Sequence, residues 1–224
     1  MPRTARASVG GICYHVINRG NGRSRVFHDE RDYQAFVELL NLADERVPVR
    51  IVGGCLMPNH FHLVLWPRED GELSTFMQWL LTSHVRRHHS RYETSGHVWQ
   101  GRFKAFPIQS DEHLLTVLRY VERNPLRAGL VERAEDWPWS SLIWRQAGGP
   151  VRLDEGPTEL PQSWVQRVNA AESEEDLKAL RRCVHRGTPF GSPTWITRIA
   201  HRLGLESTLH PRGRPKKMKK KEKK

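Results

Sequence analysis

Cysteine is scarce in this sequence: 224 residues contain three, Cys13, Cys55 and Cys183. They form no CxxC pair and are odd in number, which excludes a disulfide framework and a cysteine-rich zinc module. Reduced thiols are expected, with Cys13 and Cys55 inside predicted strands. Long apolar runs are missing as well; nothing approaches the roughly 18 residues of a membrane-spanning helix, and the opening residues contain no apolar stretch of a secretory signal. A cytoplasmic protein is expected. Acidic residues are nearly absent from the last fourteen positions, where nine Lys and Arg face one Glu. Residues 1–150 hold 19 basic and 16 acidic side chains and residues 151–210 hold eight of each, so most of the net charge of +11 sits on 211–224. So dense a run of one sign cannot bury apolar surface and reads as a solvated arm that seeks polyanions. The remainder is near neutral, and 38% hydrophobic residues suffice for a packed core.

Periodicity sets the expected order of elements. Ile12, Tyr14 and Val16 alternate in a first strand over 11–18, closed by a glycine-rich loop at 18–22. Tyr33, Phe36, Val37, Leu40 and Ala43 recur at helical spacing behind Asp29, a capping residue. Strands over 49–56 and 60–66 flank Met57-Pro58-Asn59 and read as a hairpin. A long helix over 73–91, a strand over 102–108 and a helix over 110–124 stopped by Pro125 complete the pattern. The order βαββαβ plus a helix predicts an α+β, ferredoxin-like four-stranded antiparallel sheet with helices packed on it. Glycine and proline at 148–161 suggest a linker. The expected organisation is a domain over 1–150, a small helical extension over 151–210 with helices at 173–184 and 193–203, and a basic tail over 211–224.

His60-Phe61-His62 is the strongest local signal for chemistry. Residues i and i+2 of a strand share a face, so both imidazoles can approach one point, as a divalent metal requires. Tyr120 and Asn124 lie four apart on a predicted helix and therefore one above the other. A tyrosine hydroxyl can attack a phosphodiester when a cation polarises its non-bridging oxygens, and a carboxamide oxygen can join two imidazoles around that cation. Read singly, the histidines also fit a half-exposed strand, Tyr120 an amphipathic helix and Asn124 a helix terminator.

These residues stand in a wider pattern. Met57-Pro58-Asn59 before the two histidines, the run Tyr120-Val121-Glu122-Arg123-Asn124-Pro125-Leu126-Arg127-Ala128-Gly129-Leu130-Val131, and Trp137-Pro138-Trp139-Ser140-Ser141 resemble the single-tyrosine HUH transposases. Within them the sequence is most similar to the REP-associated tyrosine transposases. Tyr14-His15-Val16-Ile17-Asn18-Arg19-Gly20-Asn21 and His97-Val98-Trp99-Gln100-Gly101-Arg102-Phe103 match too, and the likeness spans about residues 9–145. The resemblance implies a ferredoxin-like domain that nicks and rejoins single-stranded DNA at palindromic hairpins. His60 and His62 would be metal ligands for Mg²⁺ or Mn²⁺, and Tyr120 the nucleophile that forms a 5′-phosphotyrosine link and frees a 3′-OH. Asn124 would be the third ligand, where insertion-sequence relatives usually carry Gln.

Candidate DNA contacts fall in three places. Arg86, Arg87, Arg102 and Lys104 belong to a histidine- and arginine-rich stretch over 84–104, which is either a phosphate track or a solvated helix face. Arg19, Arg23 and Arg25 flank the glycine-rich loop. Arg212 and Arg214 in Pro211-Arg212-Gly213-Arg214-Pro215 resemble the AT-hook core, an extended Arg-Gly-Arg suited to a narrow A·T minor groove; the alternative is a nonspecific polybasic arm. The expected partner is hairpin or single-stranded DNA, with no membrane, a nucleoid-associated location, and either a monomer or a homodimer. Two other readings stay open: a noncatalytic DNA-binding regulator built on a retired transposase domain, and a phosphohydrolase that uses the histidines with water.

Overall fold

The computed structural model describes residues 8–146 and 148–210. The tail candidates Arg212 and Arg214 lie outside the described residues. Four strands, β1 (Cys13–Arg19), β2 (Arg50–Met57), β3 (His60–Trp66) and β4 (Lys104–Ile108), form one antiparallel sheet in the order β2-β3-β1-β4. Helix α1 (Glu30–Arg46) connects β1 to β2, and α2 (Glu72–Tyr92) connects β3 to β4. The α+β, ferredoxin-like sheet expected from the periodicity is the fold observed.

Alternation decides which side chains face which helices. Tyr14, Val16, Phe61, Leu63 and Leu65 point to the side covered by α1 and α2, and join one core with Phe36, Leu40, Phe76 and Leu80. Asp29 caps α1 by accepting from the amides of Arg31 and Asp32. The opposite side carries Cys13, Val64 and Phe106 and is covered by α3 (Glu112–Glu122), through Leu114, Leu118 and Val121. Each such leucine buried in full contributes about 1.5–3 kcal/mol. Close approach of α3 depends on Gly53 in β2, where an added Cβ would stand 2.7 Å from Leu118 Cδ2. Next to it the β2–β3 register shifts between Ile51 and Gly53.

Several local expectations are revised. The single helix over 110–124 is two elements: α3 ends at Glu122, and Asn124 opens a short turn, α4 (Asn124–Arg127). Pro125 sits in the first turn of α4, where its missing N–H costs nothing, so it starts a helix instead of stopping one. The glycine and proline segment expected as a linker is packed on the sheet. Asp154 N donates to Ile51 O at 2.8 Å, Val151 is buried, and Asn41 Nδ2 donates to Pro150 O at 2.7 Å. The reason is that β2 is an edge strand whose outer groups need partners and cover.

Beyond α5 (Ser141–Trp144), the chain adds α6 (Trp164–Asn169), α7 (Glu174–Arg186), α8 (Pro193–Arg202) and α9 (Glu206–Leu209). The helices expected at 173–184 and 193–203 are α7 and α8; α5, α6 and α9 are too short to show a period. A fully buried carboxylate joins them to the sheet domain. Glu122 accepts from Ser141 Oγ at 2.5 Å and from Trp164 Nε1 at 2.7 Å, and pairs with Arg145. A charge so buried is tolerable only because every neighbour is a donor. The three cysteines are buried free thiols; burial pushes Cys13 and Cys183 up to about 12.

Candidate functional site

The site forms where the α3 side of the sheet meets the C-terminal end of α3. Strand pairing sets Arg19 opposite His60 and Ile17 opposite His62, and the β3 alternation turns both histidines toward α3. Their ring centroids are 5.0 Å apart. Tyr120, on the buried face of α3, places its ring 5.9 Å from His62 and 6.2 Å from His15, nearly perpendicular to both. Tyrosine and histidine pair therefore meet within one chain.

Each histidine is held through Nδ1. His60 Nδ1 meets Asn59 Oδ1 at 2.6 Å, so this nitrogen carries the proton and donates. His62 Nδ1 meets His15 Nε2 at 2.7 Å, with the rings 12° from coplanar. No hydrogen-bond partner among the described residues meets either Nε2, which is the arrangement seen when a histidine is oriented as a metal ligand by a group behind it. All three imidazoles are kept neutral. Burial, with the Arg19 and Arg127 charges, pushes His60 down to about 3; burial and the nearby His60 push His15 down to about 3; burial, His15 and His60 hold His62 well below the usual range.

Asn124 is placed differently from the two histidines. Its Nδ2 donates to Tyr120 O at 3.1 Å and closes the end of α3, while its Oδ1 accepts from Arg127 Nη2 at 2.7 Å. Arg127 stands with its guanidinium carbon 4.3 Å from the centre of the Tyr120 ring and pairs with Glu172 at 2.5 Å. Among the described residues no three His, Cys, Asp or Glu side chains form a metal-holding group. Asn124 thus offers a carboxamide oxygen that is already shared with a guanidinium.

Tyr120 opens onto a pocket of about 460 Å³ whose lining includes Arg19, Arg102, Lys104, Arg181 and His185, with no acidic side chain. Among the basic residues singled out in the sequence, Arg19, Arg102 and Lys104 are brought to this point. Arg86 and Arg87 are not. They lie exposed on α2, which covers the other side of the sheet, and Arg87 pairs with Glu38 on α1 at 2.8 Å. His84 from the same stretch is a core residue between Phe36 and Trp99. Arg23 and Arg25 are exposed on the loop after β1, which Asn59 Nδ2 ties to the β2–β3 turn by donating to Arg23 O at 3.1 Å. Of the tryptophans, Trp99 is buried and Trp139 stacks on Tyr33 at 5.0 Å.

Sequence reasoning missed four contributors. His15 lies in the motif at the start of β1, but its relation to His62 arises from pairing across 47 residues. Arg127 is three residues past Asn124, a spacing that returns to the same helical face. Arg181 and His185 come from the extension, and no local signal marks them.

No helix among the described residues is long and apolar enough to cross a membrane. Residues 8–124 match the model of the family described as "Transposase IS200 like". A putative REP-associated tyrosine transposase of Haemophilus influenzae is 32% identical over 109 residues, which cover 44% of this chain and 61% of that relative. The REP-associated tyrosine transposase of Escherichia coli K12 is 23% identical over 145 residues, 65% of this chain and 84% of the relative. In three dimensions the chain is similar to a REP-associated tyrosine transposase solved bound to a REP hairpin, with a TM-score of 0.58 and 19% identity over 77% of this chain and 93% of that one. The motifs around His60, His62 and Tyr120 and the sheet that positions them fall inside the matched region, and the chain belongs to the IS200-like transposase family.

Proposed function

We propose that this protein cuts and rejoins single-stranded DNA beside a palindromic hairpin, with Tyr120 as the nucleophile. The observation that carries the reading is the position of Tyr120, packed against the His62 and His15 rings and lining an acid-free cationic pocket. A hairpin-bearing substrate is supported by the solved relative bound to a REP hairpin. In the reaction the Tyr120 oxygen loses its proton and bonds to phosphorus, and the bond from phosphorus to the 3′ oxygen breaks. That oxygen leaves as a 3′-OH after taking up a proton, and the 5′ end stays on the protein. Attack by a 3′-OH on this link reverses the exchange and joins strands without a nucleotide cofactor.

The donors suit a divalent cation, Mg²⁺ or Mn²⁺. His60 and His62 would hold it through Nε2, and Asn124 through the oxygen that Arg127 also contacts. Such a set has one protein oxygen and leaves further positions to water and phosphate. When bound, the ion supplies Lewis acidity to the non-bridging oxygens. The protein's own share is orientation: Asn59 and His15 fix the imidazoles, and Arg127 stands over the Tyr120 ring. Arg19, Arg102 and Lys104 meet phosphate, which they position without reading sequence. The approach of both histidines and the tyrosine within one chain supports a monomer as the cleaving unit.

Incubation with a labelled hairpin oligonucleotide and Mn²⁺ is expected to yield a covalent protein–DNA adduct, absent in Tyr120→Phe. An adduct that persists in Tyr120→Phe rules out the nucleophile; turnover without any adduct favours hydrolysis by water.

A further inference from the structure

The reaction proposed above leaves residues 151–210 without a part, yet they supply one wall of its pocket. Helix α7 presents Arg181 and His185, one helical turn apart and therefore on one face, to the space in front of Tyr120. Its opposite side is buried through Leu180 and Cys183. The helix is fastened at both ends. Before it, three arginines spaced four apart along the tyrosine helix and its continuation reach over: Arg119 Nη2 donates to Ala170 O and Ala171 O at 2.9 and 2.8 Å, Arg123 to Val168 O at 2.8 Å and to Asn169 O, and Arg127 pairs with Glu172. The guanidiniums of Arg119 and Arg123 satisfy carbonyls left over at the C-terminus of α6. After it, Phe190 N donates to Pro107 O and Gln109 N to Phe190 O, each at 2.9 Å, which ties the chain to β4. The backbone of α7 that carries Arg181 is thus tied to the tyrosine helix and to β4.

The electrostatics of this pocket point outward, to a ligand. Arg19, Arg102, Lys104 and Arg181 form no ion pair among the described residues, and Arg19 Nε is buried without a hydrogen-bond partner. Four cations gathered without an acid repel one another until an anion enters. A volume near 460 Å³ is that of a small-molecule pocket, so it admits an unpaired nucleotide with its phosphate and not a duplex.

Resting on the assignment of Tyr120 to strand cleavage, we propose that α7 is a built part of the DNA site. Arg181, with His185 beside it, forms a phosphate subsite for the unpaired strand that flanks the scissile bond. The extension then serves the substrate directly, apart from the diffuse attraction of the basic tail.

The test uses the full chain in EDTA and reads binding alone, by fluorescence anisotropy of an oligonucleotide with a hairpin and an unpaired oligothymidine arm. Arg181→Glu is compared with Arg182→Glu, the same charge reversal at an exposed neighbour outside the pocket lining. Arg181→Glu is expected to weaken binding about tenfold beyond Arg182→Glu and to lower the salt slope by about 0.7, the value of one single-strand phosphate contact. Arg181→Lys keeps the slope. Equal effects of the two reversals, with unchanged circular dichroism and melting, overturn the subsite. Because no covalent step is read, an adduct that survives Tyr120→Phe would refute the nucleophile and leave this result standing.

Discussion

His15 Nε2 on β1 stands 2.7 Å from His62 Nδ1 on β3, in a nearly coplanar pair of buried rings. The contact fixes the plane of His62, whose ring lies 5.9 Å from that of Tyr120 and 5.0 Å from that of His60. Outer partners of this kind typically change metal affinity 10–100-fold, that is by about 1.4–3 kcal/mol. His15→Ala is therefore expected to weaken Mn²⁺ binding by about that factor, measured by titration calorimetry without DNA. His15→Gln, which can still hydrogen-bond, should recover part of it. Unchanged affinity in His15→Ala would make the pair a packing feature only.

Removing the cation should stop the chemistry and spare recognition. With EDTA, or in His60→Ala and His62→Ala, adduct formation is expected to fall below detection while hairpin affinity changes by less than about threefold, because most affinity comes from phosphate contacts by basic side chains. Gel-resolved adduct and anisotropy on the same samples check it; loss of both together would mean that the histidines hold the domain together.

Glu122 is fully buried and bonds Ser141, Arg145 and Trp164. Glu122→Ala removes the counterion of Arg145, which keeps only its bonds to the Ser141 and Val52 carbonyls, leaves two other donors without this acceptor, and is expected to cost about 3–5 kcal/mol, read as a lower urea midpoint. Glu122→Gln keeps one acceptor and should cost less. A loss under about 1 kcal/mol in Glu122→Ala would show that water replaces the carboxylate.

Acid should destabilise the fold through buried neutral histidines. Burial, with the nearby His88, pushes His84 from 6.5 down to about 3. Between those two values the unfolded chain binds a proton that the native chain refuses. The stability tied to His84 is therefore intact above about pH 6.5 and declines as pH falls, by about 1.4 kcal/mol per unit. His84→Phe removes this proton, and urea unfolding from pH 6 to 4 should show a slope shallower by that amount. An identical slope would show that the imidazole titrates normally.

Deleting residues 211–224, with nine basic residues and one acidic, should weaken DNA binding and flatten its salt dependence. Cleavage at saturating DNA should be unaffected. Loss of cleavage under those conditions would place the tail in the site.

The parts of the site that could be read from the chain were those governed by local geometry. The period of two in β3 put His60 and His62 on one side, and the helical period put Tyr120 on the same helix as Leu114, Leu118 and Val121. Asn124 shows where that logic ends. Four residues after Tyr120 it does return to the tyrosine, but the helix breaks at Arg123, so its amide closes α3 and shares its oxygen with Arg127. The basic stretch over 84–104 divides for a similar reason: a count of charges does not tell on which side of a sheet a helix will pack, and α2 carries Arg86 and Arg87 away from Arg102 and Lys104.

The sequence alone determined the order of strands and helices, the elements on which the tyrosine and the histidine pair stand, and the separation of tail charge from domain charge, since each follows from neighbours within a few residues. Only the tertiary structure decided that His15 backs His62, that Glu122 and three arginines bind the extension to the tyrosine helix, and that Arg181 faces Tyr120. Those relations come from pairing β1 with β3 and from packing α6 and α7 against α3. They depend on burial and hydrogen bonding between segments tens of residues apart, which no local period encodes.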